Sequence, residues 1–441
     1  MRDKESTESA VRVIESFDAL PLERRVQIFS ELSPEAREEL VKVVARPGEI
    51  VRRMSDEEMF FSVKKLGEKN ATGLIFLSTG KQLQYLLDMD LWKKEMFNIE
   101  SAGRWLNMMA AMGEEKILQF VQVTDSELVL SLMNNFIKVR IRNPDIDLVE
   151  EKDSLPLFTL DDLFFVHFSV PGSEDAIKRF LETIFAWNTE YYFGLMEGVA
   201  LGLHLESEEE ARRLRLARLA DRGFPEFDEA VEIYRYMQRR ALSHSRREPF
   251  EDQAEPLEAP RTVLKYPLKV LESHTLFKRS LDEISDPYEK DRLSQELAHL
   301  ANKVMVADAR DPAVIDDLHG SLRKVSGYIN IALQEICGDD VSKAAELLRC
   351  NHVELLFRRG FSLILDLRKE AQRLLRDYEG GVENLGHPLA GLIQGLLQRR
   401  PVYAGALLGE SKPREFESLD DISLIRQLLN KATLEEAWEP I

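Results

Sequence analysis

The sequence predicts a mostly α-helical protein. A superhelical stack of short helices leads through a small β insert into a second helical domain. Three observations carry that expectation. Helix-start signals recur at short intervals through residues 20–137, each ahead of only about three turns of apolar spacing. Between Val139 and Val170 the pattern switches to alternation and to β-branched and aromatic residues. Beyond a Pro-rich acidic stretch, helical spacing returns in segments of roughly twenty residues or more.

Leu20-Pro21-Leu22-Glu23 opens the first segment, whose Val26, Ile28, Phe29 and Leu32 fall mostly at helical spacing. Ser33, Pro34 and Glu35 repeat the signal. They supply a capping hydroxyl, a proline whose missing N–H costs nothing at the first helical position, and a carboxylate at the positive helix end. Ser55 and Glu58 have capping-box spacing, as do Thr124 and Glu127. Helices this short are marginal alone and must stack to bury their stripes. The array is expected to continue through 70–78, 81–87, 100–112, 114–121 and 126–137, as a domain of residues 1–137.

Residues 138–245 are expected to hold the β insert, with Val139–Arg142 and a strand over 164–170 paired antiparallel, followed by helices. One helix, from about Ser207 to Arg222, opens on a Ser207/Glu210 capping box and carries the i,i+4 pairs Glu208–Arg212 and Glu209–Arg213. Gly223 and Pro225 stop it. The next runs from about Asp228 to Leu242. An acidic linker containing Pro249, Pro256 and Pro260 is expected over 246–261. A C-terminal helical domain then covers 262–441, with cap-then-proline starts at Asp286-Pro287 and Asp311-Pro312. Further helices fall at 341–350, 352–378 and 418–429, around an irregular Gly- and Pro-rich stretch at 380–413.

The chain of 441 residues holds 59 Lys and Arg against 78 Asp and Glu, a formal charge of −19. That balance disfavours nucleic-acid binding, which needs clustered cations to release counterions. No apolar run reaches membrane-span length and the first residues lack a signal-peptide core. The two cysteines, Cys337 and Cys350, sit in helical apolar settings and suit a reducing cytoplasm. No P-loop, G-x-G-x-x-G or G-x-S-x-G pattern occurs, and Gly194, Gly198 and Gly202 read as close helix packing. Trp92, Phe97 and Trp105 read as core between helices, the alternative being a recognition surface.

Two constellations carry chemistry. Glu296 with His299, and Asp316 with His319, place a carboxylate and an imidazole three residues apart on two helices, the spacing of di-iron bundles; Glu335 or Glu354 would complete the set. The plainer account puts Asp316 in a helix's first turn, where carboxylates favour the dipole. Arg212, Arg215, Arg218 and Arg222, with Arg213, form the densest cationic cluster. It is an interaction face for an anion or partner, or a solvated face answering Glu208 and Glu209.

The cadence over residues 15–90, a hydrophobic residue, Ser or Pro, Pro or Asp and then Glu ahead of a short apolar helix, resembles the cytosolic N-terminal domain of MgtE-type magnesium transporters. That resemblance implies stacked helices and, with no counterpart of the membrane domain, no transport. Longer stretches are similar to a family of uncharacterised bacterial proteins, a domain of unknown function. They are Leu87-Asp88-Met89-Asp90-Leu91-Trp92, Ala102-Gly103-Arg104-Trp105-Leu106, the run from Arg218 to Pro225, Glu229-Ala230-Val231-Glu232-Ile233-Tyr234 and Phe416 to Asp421. This second resemblance spans nearly the whole chain and implies no activity or substrate. The expected function is therefore a non-enzymatic, cytoplasmic interaction, scaffold or regulatory protein. It would need no cofactor, and its protein partner and oligomeric state are not specified by the sequence. The alternative is a metal-binding helical protein or metal-dependent enzyme using Glu296, His299, Asp316 and His319.

Overall fold

The computed structural model describes residues 12–93, 96–143, 155–239, 266–269, 271–377, 382, 385, 389–404 and 413–433. Helix makes up 72% of them, and the sheets are two small antiparallel pairs, as the mostly-α expectation requires. The linker expected over 246–261 lies outside these residues. The described chain divides into two units, one running to Asp221 and the other starting at Arg222.

In the first unit, α1 (Leu22–Glu31) and α2 (Pro34–Val41) meet at Ser33, whose hydroxyl accepts from the Ala36 amide. Then come α3 (Pro47–Val51), α4 (Asp56–Leu66), α5 (Thr72–Leu77) and α6 (Gly80–Asp90). Ser55 caps α4 by accepting from the Glu58 amide. α6 opens on a complete capping box between Thr79 and Gln82 that the sequence pattern left unread. α1 packs on α3, α2 on α4, α3 on α5 and α4 on α6. Packing each helix on the next but one lets elements of two or three turns bury their apolar stripes without a long partner.

Arg37 of α2 clips this stack together. It donates to the Phe29 and Ser30 carbonyls at the end of α1 (3.1 and 2.7 Å), and to Ser62 Oγ and Glu58 Oε1 on α4 (2.8 and 2.7 Å). Those bonds are what allow a guanidinium to stay 1% exposed.

A short hairpin of β1 (Trp92–Lys93) and β2 (Met96–Phe97) precedes α7 (Ile99–Met112), α8 (Glu114–Val123) and α9 (Ser126–Phe136). Trp92 and Trp105 are core residues, and the Trp105 indole donates to Asp90 at 2.7 Å. α9 does not use the expected Thr124/Glu127 box. It starts after Asp125, and Thr124 turns its hydroxyl back to the Phe120 carbonyl. The β insert is β3 (Ile137–Ile141) and β4 (Phe164–Phe168), antiparallel with Val139 opposite Val166. α10 (Glu174–Trp187), α11 (Thr189–Ala200) and α12 (His204–Ala220) complete the unit. A Cβ on Gly198 would come within 2.9 Å of Leu130, so this glycine does serve close packing between α11 and α9. α12 starts three residues before the expected Ser207, which lies instead on its buried stripe with Ala211, Arg215 and Leu219.

The second unit opens on Arg222 and Gly223, the glycine at φ +82°. α13 (Phe227–Val231) tightens into a 3-10 turn through Tyr234 and stops well short of Leu242. The competing interaction is tertiary: the Met237 amide donates to Ser362 Oγ (2.8 Å) and its carbonyl accepts from Arg359. α14 (Tyr266–Lys269), α15 (Leu276–Glu283), α16 (Pro287–Ala307), α17 (Ile315–Cys337), α18 (Val341–Cys350), α19 (Val353–Asp377), α20 (Leu389–Leu397) and α21 (Leu419–Thr433) follow. The long helices α16, α17 and α19 all pack on one another and form the core. Asp286 caps α16 as expected. α17 starts at Ile315 instead of Pro312, because Asp311 closes a turn with the Ala313 amide and donates its own amide to Asp317. Where α17 crosses α19, a Cβ on Gly360 would collide with the Tyr328 carbonyl oxygen, and where α17 meets the residues before α21, one on Gly327 would collide with that of Phe416. No described helix is long and apolar enough to cross a membrane.

Candidate functional site

α12 is built around its arginines, and the structure divides the expected cationic face. Arg215 is 5% exposed. Its Nε donates to the Asp88 carbonyl at 2.5 Å, and its guanidinium lies 5.5 Å from the Trp92 ring centroid. Arg218 grips both Asp88 oxygens, at 2.8 and 2.7 Å, and reaches Asp125 at 2.6 Å. Burial opposes the Arg218 charge, but the bonds and charges of Asp88 and Asp125 outweigh it and raise its pKa. Asp88 belongs to the last turn of α6, and Asp125 is the residue before α9. The two arginines therefore bolt α12 to two other helices. Arg222 lies beyond α12, in the second unit, where its carbonyl accepts from Asn302. Arg212 is half-buried, 26% exposed against 27% for Arg218, and pairs with Glu209 at 2.7 Å. That pair and Arg213–Glu210 are spaced i,i+3.

The outward side of α12 is partly apolar. Leu205 is 81% exposed and Leu216 37%. Eleven residues of α-helix return to within about 20° of the same azimuth, so the two leucines flank the Glu209–Arg212 pair on one face. The turn before the helix adds Leu201, 72% exposed, and Leu203. This leucine knuckle carried no sequence signal, because exposure on a periodic helix depends on which stripe its neighbours cover.

The expected metal ligands are not assembled. Among the described residues no group of three or more His, Cys, Asp or Glu is placed to hold a metal ion. Glu296 accepts from Arg292 (2.9 Å) and from the Val353 amide that starts α19 (3.1 Å). His299 backs onto Gly223, where a Cβ would come 2.9 Å from its Cα. Asp316 is exposed in the first turn of α17, and His319 is half-buried one turn on. Glu335 pairs with Arg359 and Glu354 with Lys303, each at 2.9 Å.

A buried charged network in the second unit was not anticipated. Lys324 of α17, 1% exposed, donates to Asp308 at 2.8 Å and pairs with Glu415 at 3.2 Å. Asp308 also accepts from the Tyr234 hydroxyl (2.9 Å) and Arg400 (3.3 Å), and Glu415 from the Tyr328 hydroxyl (3.0 Å) and Arg310 (3.5 Å). Burial, and then the two carboxylates, push both tyrosines well above their ordinary pKa, so they remain donors. With each carboxylate served by three donors, the network fastens Arg400 and Glu415 to α17 and the end of α16. Its bonded partners lie 16 to 105 residues apart along the chain, beyond the reach of periodicity.

The model of a family of unknown function, DUF6178, matches residues 14–438 of the chain. No curated protein matches it, and no solved structure does.

Proposed function

We propose, from the premise that the chain belongs to the DUF6178 family of unknown function, that it is a non-enzymatic, cytoplasmic interaction or scaffold protein presenting α12 to another protein. The observation that carries this reading is the contrast between the two sides of that helix. Its inner side is fixed by Arg215 and Arg218 to Asp88, while its outer side exposes Leu205 and Leu216 around an ion pair. A helix already held in place loses little conformational freedom on docking. Fully burying an exposed leucine is worth about 1.5–3 kcal/mol, and the Glu209–Arg212 pair would set orientation more than affinity. The stacking of α1 to α6 supports the same reading, because arrays of short helices present extended binding faces. The MgtE-like cadence of residues 15–90 belongs to this reading as architecture alone.

The test is affinity capture from the native cell with the wild-type chain, Leu205→Glu and Leu216→Glu, followed by reconstitution with the purified partner. The expected result is a binary complex formed by wild type and lost in both variants, with circular dichroism and melting temperature unchanged. Equal binding by all three chains refutes the assignment of α12.

A further inference from the structure

A cleft of about 410 Å³ opens in the first unit between the end of α5 and α8, within the size range of small-molecule sites. At its floor is Lys116, on the face of α8 that also buries Ile117, Phe120 and Val121. The Lys116 ammonium donates to Gln119 Oε1 (2.6 Å), Ser78 Oγ (2.9 Å) and the Phe76 carbonyl (3.4 Å). All three acceptors are neutral. Burial accordingly pushes this lysine down to about 8, with Glu115 acting weakly against the shift. A buried cation without a contacting carboxylate is costly, and an anion in the cleft would supply what it lacks. Arg52 lines the same cleft, is exposed, and has no ion pair among the described residues. Phe76, 50% exposed, and Leu118 give the cleft apolar walls.

Counting charges selects the ligand class. Two cations, Arg52 and Lys116, face one carboxylate, Glu115, so the lining carries a single positive excess. That excess matches a monoanion better than a dianionic phosphate. We propose that the cleft binds a small organic monocarboxylate, its carboxylate held by Arg52 and by Lys116 in exchange for the long bond to the Phe76 carbonyl, and its apolar body lying against Phe76 and Leu118. The site is separate from the α12 surface and does not rest on that reading.

The experiment is titration calorimetry of the full chain with benzoate and octanoate, using benzamide as the neutral control and phenyl phosphate as the dianion control. One equivalent of a carboxylate is expected to bind, with affinity falling at least about tenfold in both Lys116→Met and Arg52→Gln, while benzamide does not bind. Arg52 is exposed, so Arg52→Gln tests the site even if Lys116→Met does not fold. Absence of saturable binding by either carboxylate, binding unchanged in Arg52→Gln, or tighter binding of phenyl phosphate would each overturn the proposal.

Discussion

Arg218→Met keeps an aliphatic stem on α12 and removes the guanidinium that grips both oxygens of Asp88. The Asp88 side chain is 4% exposed, so the variant strands a buried carboxylate. Removing one partner of a buried pair costs about 3–5 kcal/mol. Two features pull the figure toward the low end. Arg218 itself is 27% exposed, and the Arg215 charge remains beside Asp88. The second bridge, to a 22% exposed Asp125, adds at most about 1 kcal/mol. The expected loss is therefore about 3 kcal/mol, or about 6–12 °C in Tm for a unit of this size. Arg212→Met, on the same helix but paired with a 66% exposed Glu209, should cost less than about 1 kcal/mol. Urea unfolding gives the two values. Amide exchange across 204–220 assigns the loss to the first unit, since a chain of two units need not unfold in one step. A cost for Arg218→Met no greater than that for Arg212→Met would show that the grip on Asp88 adds nothing to stability.

Arg37→Met should cost about 3–5 kcal/mol by removing the guanidinium that faces the buried Glu58, and Arg37→Met with Glu58→Met should cost less than Arg37→Met alone; additive losses in urea titrations would refute the clip. Lys116 has a folded-state pKa lowered to about 8, while the unfolded chain holds that proton to about 10.5, so between these values the unfolded state binds more protons and stability rises with pH. The gain is bounded at about 3 kcal/mol. The difference in stability between wild type and Lys116→Met should follow it, and a difference that stays flat from pH 8 to 10.5 would exclude the shift. Gly360→Ala should lose about 3 kcal/mol, because the obstructing atom is the backbone carbonyl of Tyr328; a thermal melt matching wild type would show that α17 and α19 can separate at no cost.

Helix identity was legible wherever start chemistry was local and uncontested. Ser33-Pro34 and Asp286-Pro287 begin helices where the sequence places them, because their side chains cap and nothing else claims them. Where a distant partner competes, the local code fails. Asp125 takes the position before α9 and answers Arg218, 93 residues away. The helix expected to reach Leu242 ends early because Ser362 and Arg359 hold the backbone of Met237. The same long separations hid the candidate sites. Arg215 and Arg218 read as surface charge until Asp88, about 130 residues earlier, is seen between them. Lys116 did leave a trace. It precedes Phe120 by one turn, on the apolar side of its helix, where an unpaired-looking lysine marks either a snorkelling stem or a buried charge.

The crossing of α17 and α19 has a genetic consequence. Every base change at the first or second position of a glycine codon installs a residue with a Cβ or ends the chain. At Gly360 that atom meets the Tyr328 carbonyl, and at Gly327 it meets that of Phe416; both obstacles are backbone, present whatever side chains stand at 328 and 416. No second substitution at those positions removes the obstruction, so mutational paths through either codon are blocked in single steps and in pairs alike. A random-mutagenesis library selected only for soluble expression should therefore return these two codons with third-base changes alone, while the exposed leucine positions of α12 drift freely.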